Sequence, residues 1–153
     1  GYVQHVMENG PSTLMPITIG RTFYMGVDPV MEQNNAIYRE QSLLVQELAE
    51  KSDCVIVGRS ADYILRDKDP LRLFIYADME SRMERCRKRA PEQEHFTDKE
   101  LRRHIQDVDK KRSKYYQFFT GQTWGDKLNY DLCINTSGAD IEALVKVIAK
   151  LVK

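Results

Sequence analysis

Short unbroken apolar runs alternate along this chain with longer stretches in which apolar residues recur at helical spacing, and the alternation predicts its elements. Cys54 to Val57 is a β-branched run between a polar turn and a glycine, the pattern of a strand buried on both faces of a parallel sheet. It is expected to be the central strand. Leu71 to Tyr76, entered through Asp69-Pro70, predicts a second strand, and Asp131 to Asn135 a third. Between them lie helices with readable ends. Asp28-Pro29 starts the first, with an apolar stripe of Ile37, Leu44, Val45 and Leu48 that ends near Lys51. Asp78 can cap the second, which sets Met79, Met83 and Cys86 against Arg82, Arg85, Arg87, Lys88 and Arg89 and closes at Pro91. Thr97 with Glu100 forms a capping box for a third helix, running to about Phe119 before Gly121 breaks it. Ser137 or Asp140 caps the last, whose Ile141, Leu144, Val145, Ile148 and Val152 read as a core stripe.

Strands alternating with helices predict an α/β fold, a three-layer parallel sheet with helices on both faces. A helix delivered into Cys54–Val57 is the second half of a crossover, which needs a preceding parallel strand. None is visible upstream. Residues 1–27, punctuated by Gly10-Pro11, Pro16, Gly20 and Gly26, read instead as a loop-rich insertion beside a single domain. The first residue is glycine rather than methionine, so the natural chain is expected to begin earlier.

Gly58-Arg59 comes directly after the expected central strand, and in open α/β sheets ligands bind at the carboxyl ends of strands. Gly58 lets the backbone turn, and Arg59 offers a planar fork that matches a phosphate. A loop-capping role, or pairing with a nearby carboxylate, fits the same two residues.

Composition narrows the partners. The 153 residues, 42% of them hydrophobic, suit one ordinary domain, and 23 basic residues cancel 23 acidic ones. That balance, with no aromatics interleaved among the basic residues, argues against nucleic acid. No apolar run is long enough to cross a bilayer, so no membrane partner is expected. Cys54, Cys86 and Cys133 are odd in number and lack CxxC spacing, which indicates neither a disulfide framework nor a metal site and suits a reducing cytoplasm. Charge is uneven locally: Arg82 to Lys114 holds twelve Lys or Arg against seven Asp or Glu. Most of these fit a solvated helix face laced with i,i+4 pairs.

Four ordered motifs carry a resemblance: Val-Gly-Arg-Ser-Ala-Asp-Tyr-Ile-Leu (57–65), Phe-Ile-Tyr-Ala-Asp-Met-Glu-Ser-Arg (74–82), Asp-Lys-Lys-Arg-Ser-Lys-Tyr-Tyr (109–116), and Trp-Gly-Asp followed by Asn-Tyr-Asp-Leu-Cys-Ile-Asn-Thr-Ser (124–126, 129–137). From about Asn34 onward the chain resembles the cytidylate kinase-like proteins, bacterial members of the nucleoside monophosphate kinase group of P-loop enzymes. The resemblance implies transfer of the γ-phosphoryl group of ATP, with Mg2+, to a nucleoside monophosphate such as CMP or dCMP. Positioning and charge neutralisation dominate such chemistry. It implies that Gly58, Arg59 and Asp62 meet the acceptor, with Arg59 on its phosphate. Residues 82–119 would form a helical lid bearing Arg82, Arg85, Asp109 and Arg112 as the catalytic set. Tyr115, Tyr116 and Trp124 fit core-sealing better than base stacking.

Two departures stand against the resemblance. Cytidylate kinases typically read Gly-Arg-Asp after this strand, whereas here Ser60 follows Arg59 and the aspartate comes at Asp62, so the acceptor base is not fixed. A P-loop requires Gly-x-x-x-x-Gly-Lys-Ser/Thr, and none of the eight glycines precedes a lysine. The missing strand and the missing phosphate cradle form one deficit, since in this fold the loop follows the first strand. The 153 residues alone are therefore expected to be inactive, the incomplete part of a longer kinase. The alternative is a truncated, non-catalytic relative that binds a nucleotide or a partner protein, in which a homodimer mate covers the gap.

Overall fold

The computed structural model describes residues 29–89 and 96–151, with side chains from residue 31. The loop-rich reading of 1–27, the Asp28 cap, Pro91 and Val152 lie outside these residues. Helix α1 spans Pro29–Lys51 without an internal glycine or proline, with Glu32 in its first turn and Lys51 in its last, the order that complements a helix dipole. Its buried face carries Asn34, Gln41 and Val45, with Tyr38 and Ala49 half-buried beside them. The face expected from periodicity is rotated from this one: of the expected stripe only Val45 is buried, while Leu44 and Leu48 are exposed. Val45 packs on Ala61, Ile64 and Leu65 of the turn that follows, together with Tyr38, Ala49 and Ile56.

Residues 53–57 belong to no helix or strand and are unpaired among the described residues, and this corrects the expected buried central strand. Val55 is 93% and Val57 86% exposed. The physical reason is that no described strand lies alongside to pair with this backbone or cover its side chains. A left-handed turn leads into the short helix α2 (Ala61–Ile64), and a single 3-10 turn at Arg66–Lys68 follows.

Strand β1 (Leu73–Tyr76) pairs in parallel with β2 (Leu132–Asn135), in the register Leu73 to Leu132 through Tyr76 to Asn135. Among the described residues the sheet has these two strands, both shorter by one or two residues than their apolar runs. Helices α3 (Met79–Arg89) and α4 (Asp98–Thr120) connect them. The strand pair is tied at both ends. Where it begins, Arg72 forks onto Asp131, donating from Nη2 to Oδ1 at 2.8 Å and from its backbone N–H to Oδ2 at 2.7 Å. Where it ends, the Thr136 N–H and hydroxyl both donate to the Tyr76 carbonyl, and the Asp78 N–H donates to Ser137 Oγ at 2.7 Å. One sheet face is sealed by Phe74, with the Trp124 edge 5.4 Å from its ring and Tyr130 at 5.0 Å.

The helix signals hold locally. Asp78 accepts the Ser81 N–H at 2.7 Å, Thr97 and Glu100 form the reciprocal capping box, Gly121 closes α4 at φ 71°, and Asp140 accepts the Ala143 N–H. Met83, Leu101 and Ile105 bury a small core between α3 and α4 with Met79, whereas Cys86, expected on the same side, is exposed. Helix α5 (Ile141–Ile148) departs most from expectation. It has no buried residue: of its expected core stripe Ile141 and Val145 are exposed, and Leu144 and Ile148 are only half-buried.

Candidate functional site

The turn between the unpaired stretch and α2 holds three successive left-handed residues, Gly58 (φ 72°), Arg59 (φ 60°) and Ser60 (φ 51°). Glycine adopts this region freely, but each non-glycine residue held there costs on the order of 1–3 kcal/mol and persists only where its surroundings over-determine it. The turn closes through the Ala61 N–H donating to the Gly58 carbonyl at 3.2 Å, and the Ile64 N–H to the Ser60 carbonyl at 2.9 Å. The Ser60 side chain makes no cap bond; its hydroxyl is buried without a partner.

The turn presents Arg59, half-buried and without a hydrogen bond or ion pair among the described residues. Beside it the α4 aromatics meet α1. Phe119 stacks on Tyr38 with centroids 4.1 Å apart, Tyr115 lies edge-on to Tyr38, and the Tyr115 hydroxyl is 3.4 Å from Gln41 Oε1. Burial pushes the Tyr115 hydroxyl up to about 12, Tyr38 adds to the rise, and the Arg59 cation pulls the other way. Gln41, 8% exposed, leaves its amide Nε2 without a partner. Unsatisfied buried polar atoms are rare enough in folded proteins that two around one arginine mark this corner. Sequence reasoning missed Gln41 and Tyr38, and nothing in the sequence set Gln41 apart in a helix rich in polar residues.

Asp62 is engaged elsewhere. Its Oδ2 accepts the Tyr116 hydroxyl at 2.6 Å, and the same hydroxyl lies 2.9 Å from Gln122 Oε1. Tyr116 is 5% exposed, and its hydroxyl is pushed far up, first by burial and then by the Asp62 carboxylate. Tyr130 is raised in the same way, by burial and then by Asp62.

The residues expected to form the catalytic set on α3 and α4 divide into two groups. Arg82 forks onto Asp109 with contacts of 2.7 and 2.8 Å, and Arg112 reaches to 4.0 Å from the same carboxylate, so α3 and α4 share one aspartate between two arginines. Arg85 is not with them. Its Nη1 donates to Thr136 Oγ1 at 3.0 Å and its Nη2 to the Thr136 carbonyl, which ties α3 to the end of β2. Asp109, Arg112 and Tyr116 follow i, i+3, i+7 spacing, so one face of α4 runs from Asp109 and Arg112 to the contact with Asp62. At the helical rise that face spans roughly 10 Å.

What this arrangement can do is meet an anion with Arg59 and a second set of charges with Arg112. Among the described residues no three His, Cys, Asp or Glu side chains converge as a metal site, and no Gly-Lys loop is present. The donors that Mg2+ and a nucleoside triphosphate require thus do not fit the residues in hand. No described helix is long and apolar enough to cross a membrane.

The sequence profile of the cytidylate kinase-like family matches residues 2–138. The chain belongs to that family. The match begins upstream of the four quoted motifs, which start at residue 57, and stops before α5. A cytidylate kinase from Archaeoglobus fulgidus is 32% identical over 123 residues, which are 80% of this chain and 66% of that protein. The crystal structure of an uncharacterized protein from Eubacterium ventriosum superposes with a TM-score of 0.68 at 30% identity, covering 82% of this chain and 67% of that one. The chain thus spans about two thirds of the length of these relatives.

Proposed function

We propose that these residues form the acceptor side and lid of a nucleoside monophosphate kinase. An oxygen of the acceptor 5′-phosphate attacks the γ-phosphorus of ATP, the bond from that phosphorus to the β–γ bridging oxygen breaks, and a nucleoside diphosphate and ADP leave. CMP and dCMP are the first candidates for the acceptor, following the name of the Archaeoglobus relative. The observation that carries the reading is Arg59, a half-buried guanidinium with no counter-ion among the described residues, held in a strained turn at the end of the unpaired stretch. A buried cation gains most from a ligand that brings charge, and a phosphate matches its fork.

In this reading Arg59 holds the acceptor phosphate, Arg112 swings over the transferred group as the lid closes, and Asp109 with Arg82 sets where that arginine starts. The phosphate cradle and Mg2+ ligands come from outside the 153 residues, and a further strand beside Cys54–Val57 completes a three-layer P-loop fold. The exposed Val55 and Val57, and the exposed Ile141 and Val145 of α5, support that completion. The absence of any Gly-Lys pair favours a second reading, a non-catalytic nucleoside monophosphate binder.

The experiment measures CMP binding by calorimetry and ADP release with ATP, Mg2+ and a panel of nucleoside monophosphates, using the full protein and its Arg59→Ala variant. Turnover with CMP that falls at least a hundredfold in the variant supports the kinase. CMP binding without turnover selects the second reading, and unchanged CMP affinity in Arg59→Ala removes Arg59 from the site.

A further inference from the structure

We propose that Asp62 is a positioning residue: by accepting the Tyr116 hydroxyl, its carboxylate fixes the Arg59 turn to the face of α4 that carries Asp109 and Arg112. The resemblance puts an aspartate near this position on the acceptor itself. The geometry points elsewhere. The turn is strained at Arg59 and Ser60, and its own side chains do not hold it, since the Ser60 hydroxyl has no partner and makes no cap bond. Something outside the turn has to fix it. The bond that meets that need is the 2.6 Å contact from Tyr116 to Asp62, two residues beyond the strained pair, from a hydroxyl on a nearly fully buried ring.

A hydrogen bond to a charged acceptor is among the stronger kinds, and it lies here away from most of the solvent. Helix α4 is rigid over the two turns from Asp109 to Tyr116, so the bond sets the distance between Arg59 and the lid arginines. Binding an acceptor at Arg59 and closing a lid through Arg112 then share one mechanical reference. A buried tyrosine hydroxyl also needs a partner, and Gln122 alone would give it a neutral one. Burial together with the carboxylate raises the Tyr116 hydroxyl, which keeps its proton available for the bond at every ordinary pH.

The consequence for catalysis rests on the proposed kinase reading, while the tether itself does not. The test compares Tyr116→Phe with Asp62→Asn in the full protein. Phenylalanine removes the donor and leaves the carboxylate, whereas asparagine keeps an oxygen that accepts from Tyr116. The expected result is a CMP KM raised about tenfold by Tyr116→Phe with kcat changed by less than threefold, and a KM rise in Asp62→Asn at least threefold smaller. Amide hydrogen exchange over residues 58–62 is read alongside and should quicken more in Tyr116→Phe than in Asp62→Asn. The reverse order, with Asp62→Asn losing CMP and Tyr116→Phe keeping it, assigns Asp62 to the acceptor and overturns the proposal. If the wild-type protein binds no nucleoside monophosphate, the kinase reading falls, and equal exchange in the two variants overturns the tether on its own. Should Tyr116→Phe fail to fold, a full loss of CMP binding in a folded Asp62→Asn variant still overturns it.

Discussion

Arg82 and Asp109 face each other across helices α3 and α4 in a two-contact fork, 2.7 and 2.8 Å, with less than a third of either side chain exposed. Bidentate geometry and partial burial lift this pair above an ordinary surface ion pair, and breaking it leaves a half-buried arginine without its partner. Asp109→Ala is therefore expected to lower stability by about 1–2 kcal/mol. It also frees Arg112, which shares the carboxylate at 4.0 Å. Urea unfolding checks this through a lower midpoint at constant slope; an unchanged midpoint removes the pair from the forces holding α3 to α4.

Two glycines with similar backbone angles should respond differently to alanine. Gly58 sits at φ 72° with nothing near the place where a Cβ would stand, so Gly58→Ala is expected to lose only the left-handed preference, about 1 kcal/mol. Gly125 sits at φ 79°, and a Cβ there would stand 2.9 Å from the Phe74 ring. That ring is fixed by Trp124 and Tyr130, so it cannot give way without disturbing the sheet face. Gly125→Ala should cost at least about 1 kcal/mol more than Gly58→Ala, through overpacking. Thermal melts of the two variants side by side decide it, and equal losses would mean that the aromatic face is softer than its contacts suggest.

The helix boundaries were legible because capping is local chemistry: Asp78, Thr97 with Glu100, Asp140 and Gly121 each act within four residues of themselves. The two paired strands were legible for a similar reason, their apolar runs being short and bounded. The burial of Cys54–Val57 and of the α5 stripe was realised only in part, at Ile56, Leu144 and Ile148, because burial depends on what lies across the interface and Val55, Val57, Ile141 and Val145 stay exposed. The rotation of the α1 face belongs to the same class. Asn34 and Gln41 turn inward because Tyr38 between them and Val45 one turn further on are held by α4 and by the 61–65 segment, contacts that periodicity cannot see. At the site, Gly58-Arg59 was legible as a glycine turn with an anion-matching side chain. The engagement of Asp62 by Tyr116 was not, since those residues are 54 apart in sequence. Arg85, placed by the resemblance in one set with Arg82, Asp109 and Arg112, faces Thr136.

Acid should loosen the start of the strand pair. The Arg72 guanidinium, and then its backbone N–H, hold the Asp131 carboxyl below the usual carboxylate range. A carboxyl with a lowered folded-state pKa contributes stability above its unfolded value, near 4, and loses that contribution as pH falls through the lower folded-state value. With a little over a third of the Asp131 side chain exposed, solvent screens part of the effect. Asp131→Asn is therefore expected to be less stable than wild type at pH 7 and to show a shallower acid decline. The two curves should converge once pH has fallen through the lowered folded-state value, as read from urea midpoints across the acid range. Parallel curves would mean that Arg72 gains nothing from the charge on Asp131.

Arg59 and Arg85 offer the sharpest separation of binding from stability. Arg85 spends its donors on the hydroxyl and carbonyl of Thr136, which itself donates to the Tyr76 carbonyl, so its removal unties α3 from the end of both strands. Arg85→Ala is expected to lower stability by about 1–3 kcal/mol, the range for losing hydrogen bonds made by a charged group. Arg59 makes no such bonds among the described residues, and removing a half-buried, uncompensated cation should leave stability within about 0.5 kcal/mol of wild type or raise it. Added phosphate or CMP should raise the melting temperature of wild type and of Arg85→Ala but not of Arg59→Ala, since a ligand stabilises only the protein that binds it. The decisive readout is that ligand-dependent shift, measured by thermal denaturation with and without a millimolar excess of CMP. A shift that survives in Arg59→Ala and vanishes in Arg85→Ala would exchange the roles of the two arginines, placing the anion at the end of β2 rather than at the Gly58 turn.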